Sequence, residues 1–216
     1  MKKLICFDCD STLSGIEGID ELAYLRGEEV FAQVKRMTSE AMDGGVALED
    51  IFAQRLELIR PSAAEIDRIA HRYLVHIEPD ADSVFHRLRG TGWETAIISG
   101  GFRRAIRPLA ERLEVGLVEA VDLFFDTKGR YMGFAGDCQT TRTRGKNTVI
   151  AALKARLRPD VTVMVGDGAS DLETAPDVSL FVGFGRYVER KLVREGAGLW
   201  LTRLTDLPDA LAARGW

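Results

Sequence analysis

The hydrophobic positions of this chain fall into short unbroken runs separated by longer amphipathic stretches. Leu4, Ile5, Cys6 and Phe7 form the first run, which reads as a strand buried on both faces, and the chain turns abruptly polar from Asp8 to Ser14. Four further segments repeat the pattern: TAIIS ending at Ser99, VTVMV ending at Gly166, SLFVGFG ending at Gly185, and a short LWLT near the end. Amphipathic helices are predicted between them over 81–88, 103–113, 147–157, 187–195 and 206–213. Strand alternating with helix predicts an α/β fold built on a doubly wound, Rossmann-like parallel sheet.

Two stretches break the alternation. Residues 121–134 hold two aromatic-rich runs around DTKGR and read as a small β-hairpin inserted in the sheet's connections. Residues 15–76 hold helical stretches around 20–25, 28–41, 48–59 and 63–73, with turns at Gly44-Gly45 and Pro61. They are expected to form a helical cap inserted after the first strand, with 1–14 and 77–216 making the α/β core. A crossover elaborated for stability is the alternative, but departure from the sheet beside Asp8 and Asp10 favours a lid.

Composition narrows the function by exclusion. At 216 residues and 46% hydrophobic, the chain can bury a substantial core. A net charge of −4 gives no basic footprint for nucleic acid, and no apolar run approaches the ~20 residues of a membrane span. The N-terminal apolar stretch is too short for a signal peptide, so a cytoplasmic protein is expected. Cys6, Cys9 and Cys138 are an odd number, and the C-x-x-C pair starts inside a strand with no second pair to complete a zinc site. Free thiols are expected. His71, His76 and His86 lack metal-ligand spacing, which leaves acid and base work to carboxylates or lysine.

In open α/β sheets, ligands bind beyond the carboxyl ends of the strands, so the residues just after each strand carry the chemistry. Here they are Asp8, Asp10, Ser11 and Thr12, then Ser99, Gly100 and Gly101, then Gly166, Asp167, Gly168 and Asp171, with Lys146 opening the helix between. Taken alone, a pair such as Asp8 and Asp10 is more often a solvated turn or half of a cation site. Taken together, the groups suit phosphate. Asp8 is placed to attack phosphorus and Asp10 to protonate the leaving oxygen and then deprotonate a water. Asp167 adds a hard oxygen ligand suited to Mg²⁺, Asp171 orients that shell, and Ser99, the glycine N–H groups and Lys146 offer donors to phosphate oxygens. Arg142 and Arg144 read as a solvated loop.

The series DxDST, SGG, a downstream lysine and GDGxxD resembles the haloacid dehalogenase superfamily of phosphotransferases. FDCDSTLSGIEGIDELA, EAMDGGV, QRLELIRPS, IISGGFR, RGKNTVI and MVGDGASDLE are similar to the branch acting on O-phosphoserine, and they run nearly end to end. The resemblance implies a Mg²⁺-dependent phosphomonoesterase releasing serine and phosphate, the last step of a phosphorylated route to serine. It implies Asp8 as nucleophile, Asp10 as acid and base, and Mg²⁺ on Asp8, Asp167 and the backbone carbonyl of Asp10. Phosphate would be held by Ser99, Gly100 and Lys146. It further implies that Glu17 receives the substrate ammonium and Arg55 its carboxylate, with Met42 shielding the pocket and Ser170 near the phosphate. From the residues alone, Glu17 is a helix-start acid and Arg55 a solvated face residue. The family often has an aromatic where Leu48 stands, commonly Gly in place of Asp43 and frequently Gly in place of Asn147. An inward Asp43 would add negative charge near an anionic substrate. The rival expectations are a related capped enzyme for another small phosphomonoester, such as phosphohomoserine or a sugar phosphate, and a non-catalytic phosphometabolite-binding regulator.

Overall fold

The computed structural model describes every residue of the chain except Gly44, and every side chain except that of Met42 as well. Half of the expected Gly44-Gly45 turn therefore lies outside the described residues. The first apolar run forms β1 (Lys3–Phe7), after which come four helices: α1 (Gly18–Tyr24), α2 (Glu28–Met42), α3 (Leu48–Ile59) and α4 (Ala63–Val75). The chain then alternates through α5 (Ala81–Gly90), β2 (Trp93–Phe102), α6 (Arg103–Arg112) and β3 (Leu117–Val121). A hairpin, β4 (Leu123–Phe125) and β5 (Tyr131–Phe134), interrupts it. α7 (Gly145–Leu157), β6 (Val161–Gly166), α8 (Ala169–Leu172), β7 (Leu180–Phe184), α9 (Lys191–Gly196), β8 (Leu199–Leu201) and α10 (Leu207–Ala212) complete the fold.

The main sheet is parallel throughout, in the order β3-β2-β1-β6-β7-β8. β1 sits between β2 and β6, where the winding reverses direction, and this places the ends of β1 and β6 at the crevice such sheets use for ligands. Alternation along the strands divides the core. Ile5, Phe7, Ile97, Val163 and Val165 face a layer containing α5, α6 and α10; Leu4, Cys6, Ala96, Ile98 and Met164 face one containing α7 and α9. Both faces are covered, which is why the strands read as continuous apolar runs.

The expected sheet lacked a strand. β3 was not anticipated, because LVEAV is an edge strand of mixed exposure carrying Glu119 within the apolar run. Val121, expected to begin the hairpin, instead ends β3, and Asp122 alone separates it from β4. β2 runs past Ser99 to Phe102, with a register shift between Ile98 and Phe102 that bends the SGG segment. The helix expected over 187–195 starts only at Lys191. Residues 187–190 are held outside a helix, with Tyr187 donating to Glu78 at 2.6 Å.

The four-helix segment leaves and rejoins the sheet at one place. Ser14 bridges Ile77, with Gly15 N–H donating to the His76 carbonyl at 2.9 Å and Glu78 N–H to that of Leu13 at 2.8 Å. The hairpin leans on this segment: Phe134 packs edge-on against Phe52 with ring centroids 5.2 Å apart, and Ala63 N–H donates to the Gly129 carbonyl. No helix among the described residues is long and apolar enough to cross a membrane.

Candidate active site

Asp8 continues the line of β1, its N–H donating to the Val165 carbonyl at 2.9 Å, so its side chain emerges at the sheet's carboxyl edge. The chain then tightens, as the Cys9 carbonyl accepts from the N–H groups of Thr12, Leu13 and Ser14. Asp8 Oδ1 accepts from Cys9 N–H at 2.7 Å and lies 3.1 Å from Lys146 Nζ, which stands 2.6 Å from Asp171 Oδ1. Burial works against the lysine charge, but Asp171 and Asp8 outweigh it and raise its pKa. Lys146 is therefore a fixed cation beside the Asp8 carboxylate.

Asp10 is held from three sides. Its Oδ1 accepts from Gly18 N–H at 2.6 Å and from the Tyr73 hydroxyl at 2.7 Å, while Ser99 Oγ stands 3.4 Å from Oδ2. Burial first, and the charge of Asp8 second, push its pKa up to about 6, against those hydrogen bonds. A carboxyl poised there next to an ionised neighbour can exchange a proton near neutral pH. The SGG segment approaches closely, since a Cβ on Gly101 would come within 2.7 Å of Asp10 Oδ2. Gly101 N–H is itself engaged, donating to Ser99 Oγ at 3.0 Å.

Asp8, Asp167 and Asp171 are all buried and bring one carboxylate oxygen each within 4.8 Å of one another. Thr12 donates to Asp167 Oδ1 at 3.2 Å, whereas Asp167 Oδ2 is buried without a hydrogen-bond partner among the described residues. Burial and the neighbouring carboxylates raise the pKa of Asp167 and of Asp171. Crowded acids with an orphaned oxygen fit a divalent cation, which would relieve both the repulsion and the missing partner.

A cavity joins these groups to the helical segment. Its walls include Asp8, Asp10, Ser99, Gly100, Gly101, Lys146, Asp167 and Ser170 from the sheet side, and Glu17, Leu48, Phe52 and Arg55 from the helices. Most of the residues given a role from the sequence thus converge on it. Asp171 lies behind the wall, fully buried on Lys146, and the side chain of Met42 lies outside the described residues. Arg55 is not a solvated face residue: it is 3% exposed. Glu17 accepts from Ser11 Oγ at 2.7 Å, and burial, Asp10 and Asp167 raise its pKa well above the usual range.

Asp43 turns away from the substrate space. It accepts from Arg190 Nη1 at 3.2 Å and from Ser39, and it does not line the cavity. Asn147 is an anchor, donating to the Glu173 carbonyl and to Asp177. Arg142 and Arg144 are exposed, as expected. Sequence reasoning missed Tyr73 on Asp10, and Arg190, which is 9% exposed with Nε 3.4 Å from Asp167 Oδ2 but without hydrogen-bond geometry to it. Tyr73 sits at core spacing on α4, and Arg190 lies in a charged stretch, so neither carried a local signal.

A family model for haloacid dehalogenase-like hydrolases matches residues 2–178. A phosphoserine phosphatase of Bos taurus is 38% identical over 209 residues, covering 96% of this chain and 92% of the relative. Among solved structures, a substrate-bound phosphoserine phosphatase complex aligns over 99% of this chain and 98% of its own, at 27% identity and a TM-score of 0.85. A phospho-aspartyl intermediate analogue of phosphoserine phosphatase aligns over 97% and 98%, at 26% identity and a TM-score of 0.81.

Proposed function

The chain belongs to the haloacid dehalogenase-like hydrolases, and within that family we propose that it hydrolyses O-phospho-L-serine to L-serine and inorganic phosphate through an aspartyl phosphate on Asp8. One observation carries the substrate assignment: a single cavity is lined by an acid, Glu17, and a buried base, Arg55, as well as by Asp8 and Lys146. A phosphorylated amino acid presents an ammonium, a carboxylate and a phosphate, and the three chemistries have separate partners here.

Asp8 attacks phosphorus as the ionised carboxylate, with Lys146 holding the charge near it. The P–O bond to the seryl oxygen breaks as Asp10 gives that oxygen its proton. Asp10 then takes a proton from water, which attacks the aspartyl phosphate and returns Asp8 as a carboxylate. The Gly18 N–H and Tyr73 hydroxyl fix the Asp10 carboxyl on one side, leaving Oδ2 toward the reacting oxygen. Ser99, Gly100, Gly101 and Ser170 surround the phosphate. Mg²⁺ held by Asp8, Asp167 and the Asp10 backbone carbonyl, with Asp171 orienting the set through Lys146, would screen the repulsion between carboxylates and phosphate.

In this reading residues 15–76 form a cap over a core of 1–14 and 77–216. The substrate ammonium restores the charge of Glu17, whose burial among acids otherwise favours its neutral form. Three free cysteines support a cytoplasmic setting. Phosphate release from O-phospho-L-serine, with and without Mg²⁺, tests the assignment. Asp8→Asn is expected to abolish turnover. Arg55→Ala is expected to cost ~2–5 kcal/mol in kcat/KM on phosphoserine and far less on a plain aryl phosphate, the loss typical of truncating one partner of a desolvated charge pair. Equal losses on both substrates would remove the amino-acid assignment.

A further inference from the structure

Arg55 reaches the cavity from α3, and among the described residues it forms no ion pair with a carboxylate. Its Nη1 donates to Thr38 Oγ1 on α2 at 3.1 Å, and its guanidinium lies over the Phe52 ring, 5.6 Å from the centroid. Nε is buried with no partner among the described residues. Thr38, itself 3% exposed, stands 2.9 Å from Asp20 Oδ1 on α1 and 3.0 Å from the Val34 carbonyl. A hydroxyl has one proton, and an ionised carboxylate is the stronger acceptor. With Arg55 donating to the oxygen, the Thr38 proton points to Asp20. One polar chain then runs guanidinium, hydroxyl, carboxylate across three helices.

We infer that Thr38, backed by Asp20, is a positioning residue that fixes Arg55 for the substrate carboxylate while leaving its anion-binding edge free. This rests on the assignment of Arg55 to that carboxylate. The order of the chain is what matters. A carboxylate placed directly on Arg55 would satisfy the fork and compete with substrate, whereas a carboxylate one hydroxyl away orients the side chain without occupying it. Asp20 is half-buried on α1 and does not line the cavity, so its charge supports Arg55 through the hydroxyl.

Thr38→Val removes the hydroxyl and keeps the shape; Thr38→Ser keeps the hydroxyl. Thr38→Val is expected to lower kcat/KM for O-phospho-L-serine roughly 10- to 100-fold, the worth of a hydrogen bond to a charged group, chiefly through KM. Aryl phosphate turnover should stay within about threefold, Thr38→Ser should recover phosphoserine turnover, and Thr38→Val should add nothing to Arg55→Ala. Equal losses on both substrates, or a further loss on the Arg55→Ala background, overturn the role. If Arg55→Ala fails to discriminate between the substrates, the carboxylate assignment itself falls. Discrimination by Arg55→Ala with none from Thr38→Val overturns the positioning role alone. The double-variant comparison needs phosphoserine only, and it decides the matter even where the aryl phosphate turns over slowly. Asp20→Ala, which frees the hydroxyl to turn to Val34, carries the same comparisons if circular dichroism shows Thr38→Val unfolded.

Discussion

Gly166 and Gly90 differ in what a methyl group would meet. A Cβ on Gly166, the last residue of β6, would lie 2.2 Å from Asp171 Cγ, and the carboxylate it strikes is the one that holds Lys146. Gly166→Ala is expected to lower stability by about 1–3 kcal/mol or more through overpacking and to reduce kcat as Lys146 shifts. At Gly90, in the last turn of α5, a Cβ meets nothing within 4 Å, so Gly90→Ala should stabilise by about 0.4–1 kcal/mol with activity unchanged. Urea midpoints and initial rates for the two variants should move in these opposite senses. Asp8, Asp10, Asp167 and Lys146 could be read from sequence because each sits at a strand end or helix start that local pattern locates. Arg55 could not, since its burial is created by α1 and α2 folding over α3. Tyr73 reaches Asp10 only because the helical segment returns to the sheet where it left, and no local spacing encodes that return.

At the scale of elements, α4 shows how a helix of the insert is fixed by its own ends. Ser62 and Glu65 form a reciprocal capping box, and Glu65 also receives Arg26 through both carboxylate oxygens, at 2.7 and 2.8 Å. Arg26, with help from Ser62, holds the Glu65 carboxyl down to about 2. A folded-state value below the unfolded one contributes stability that is present above about pH 4.5 and is lost as pH falls toward 2. Glu65→Gln keeps the box and removes the charge. It is expected to cost about 1–2 kcal/mol at pH 7 and distinctly less at pH 3, as read by denaturant unfolding at the two pH values. The extent of α3 matched its periodicity because Leu48, Ile51, Phe52, Leu56 and Ile59 make a continuous buried face. The edge strand β3 and the shortened α9 escaped because their limits are set by neighbours: β2 pairs with β3, and Tyr187 packs against Gly15 and Glu78.

Across the whole molecule, two of the contacts that tie the helical segment to the sheet side lie at the rim formed by the end of α2 and the start of α3. Arg190 reaches Asp43, and Thr143 donates through both N–H and Oγ1 to Glu49 at 2.7 Å. Both acids are exposed, and contacts made by such acids are worth ~0.2–1 kcal/mol, so the double variant Asp43→Ala/Glu49→Ala should raise KM for phosphoserine only about two- to fivefold. Its thermal midpoint should barely move, which steady-state kinetics and a melting scan would establish together. The overall architecture was legible because buried parallel strands announce themselves as apolar runs, and the insert because it lacks them. The central place of β1 has a temporal meaning too. Its hydrogen-bonding neighbours, β2 and β6, come from the middle and the last third of the chain. Such non-local pairing is slow, so Asp8, which emerges early in synthesis, waits until β6 has been made. A nascent chain thus carries Asp8 and Asp10 without Lys146, Asp167 or Asp171, and the clustered site is complete only once β6 and the turn after it have emerged.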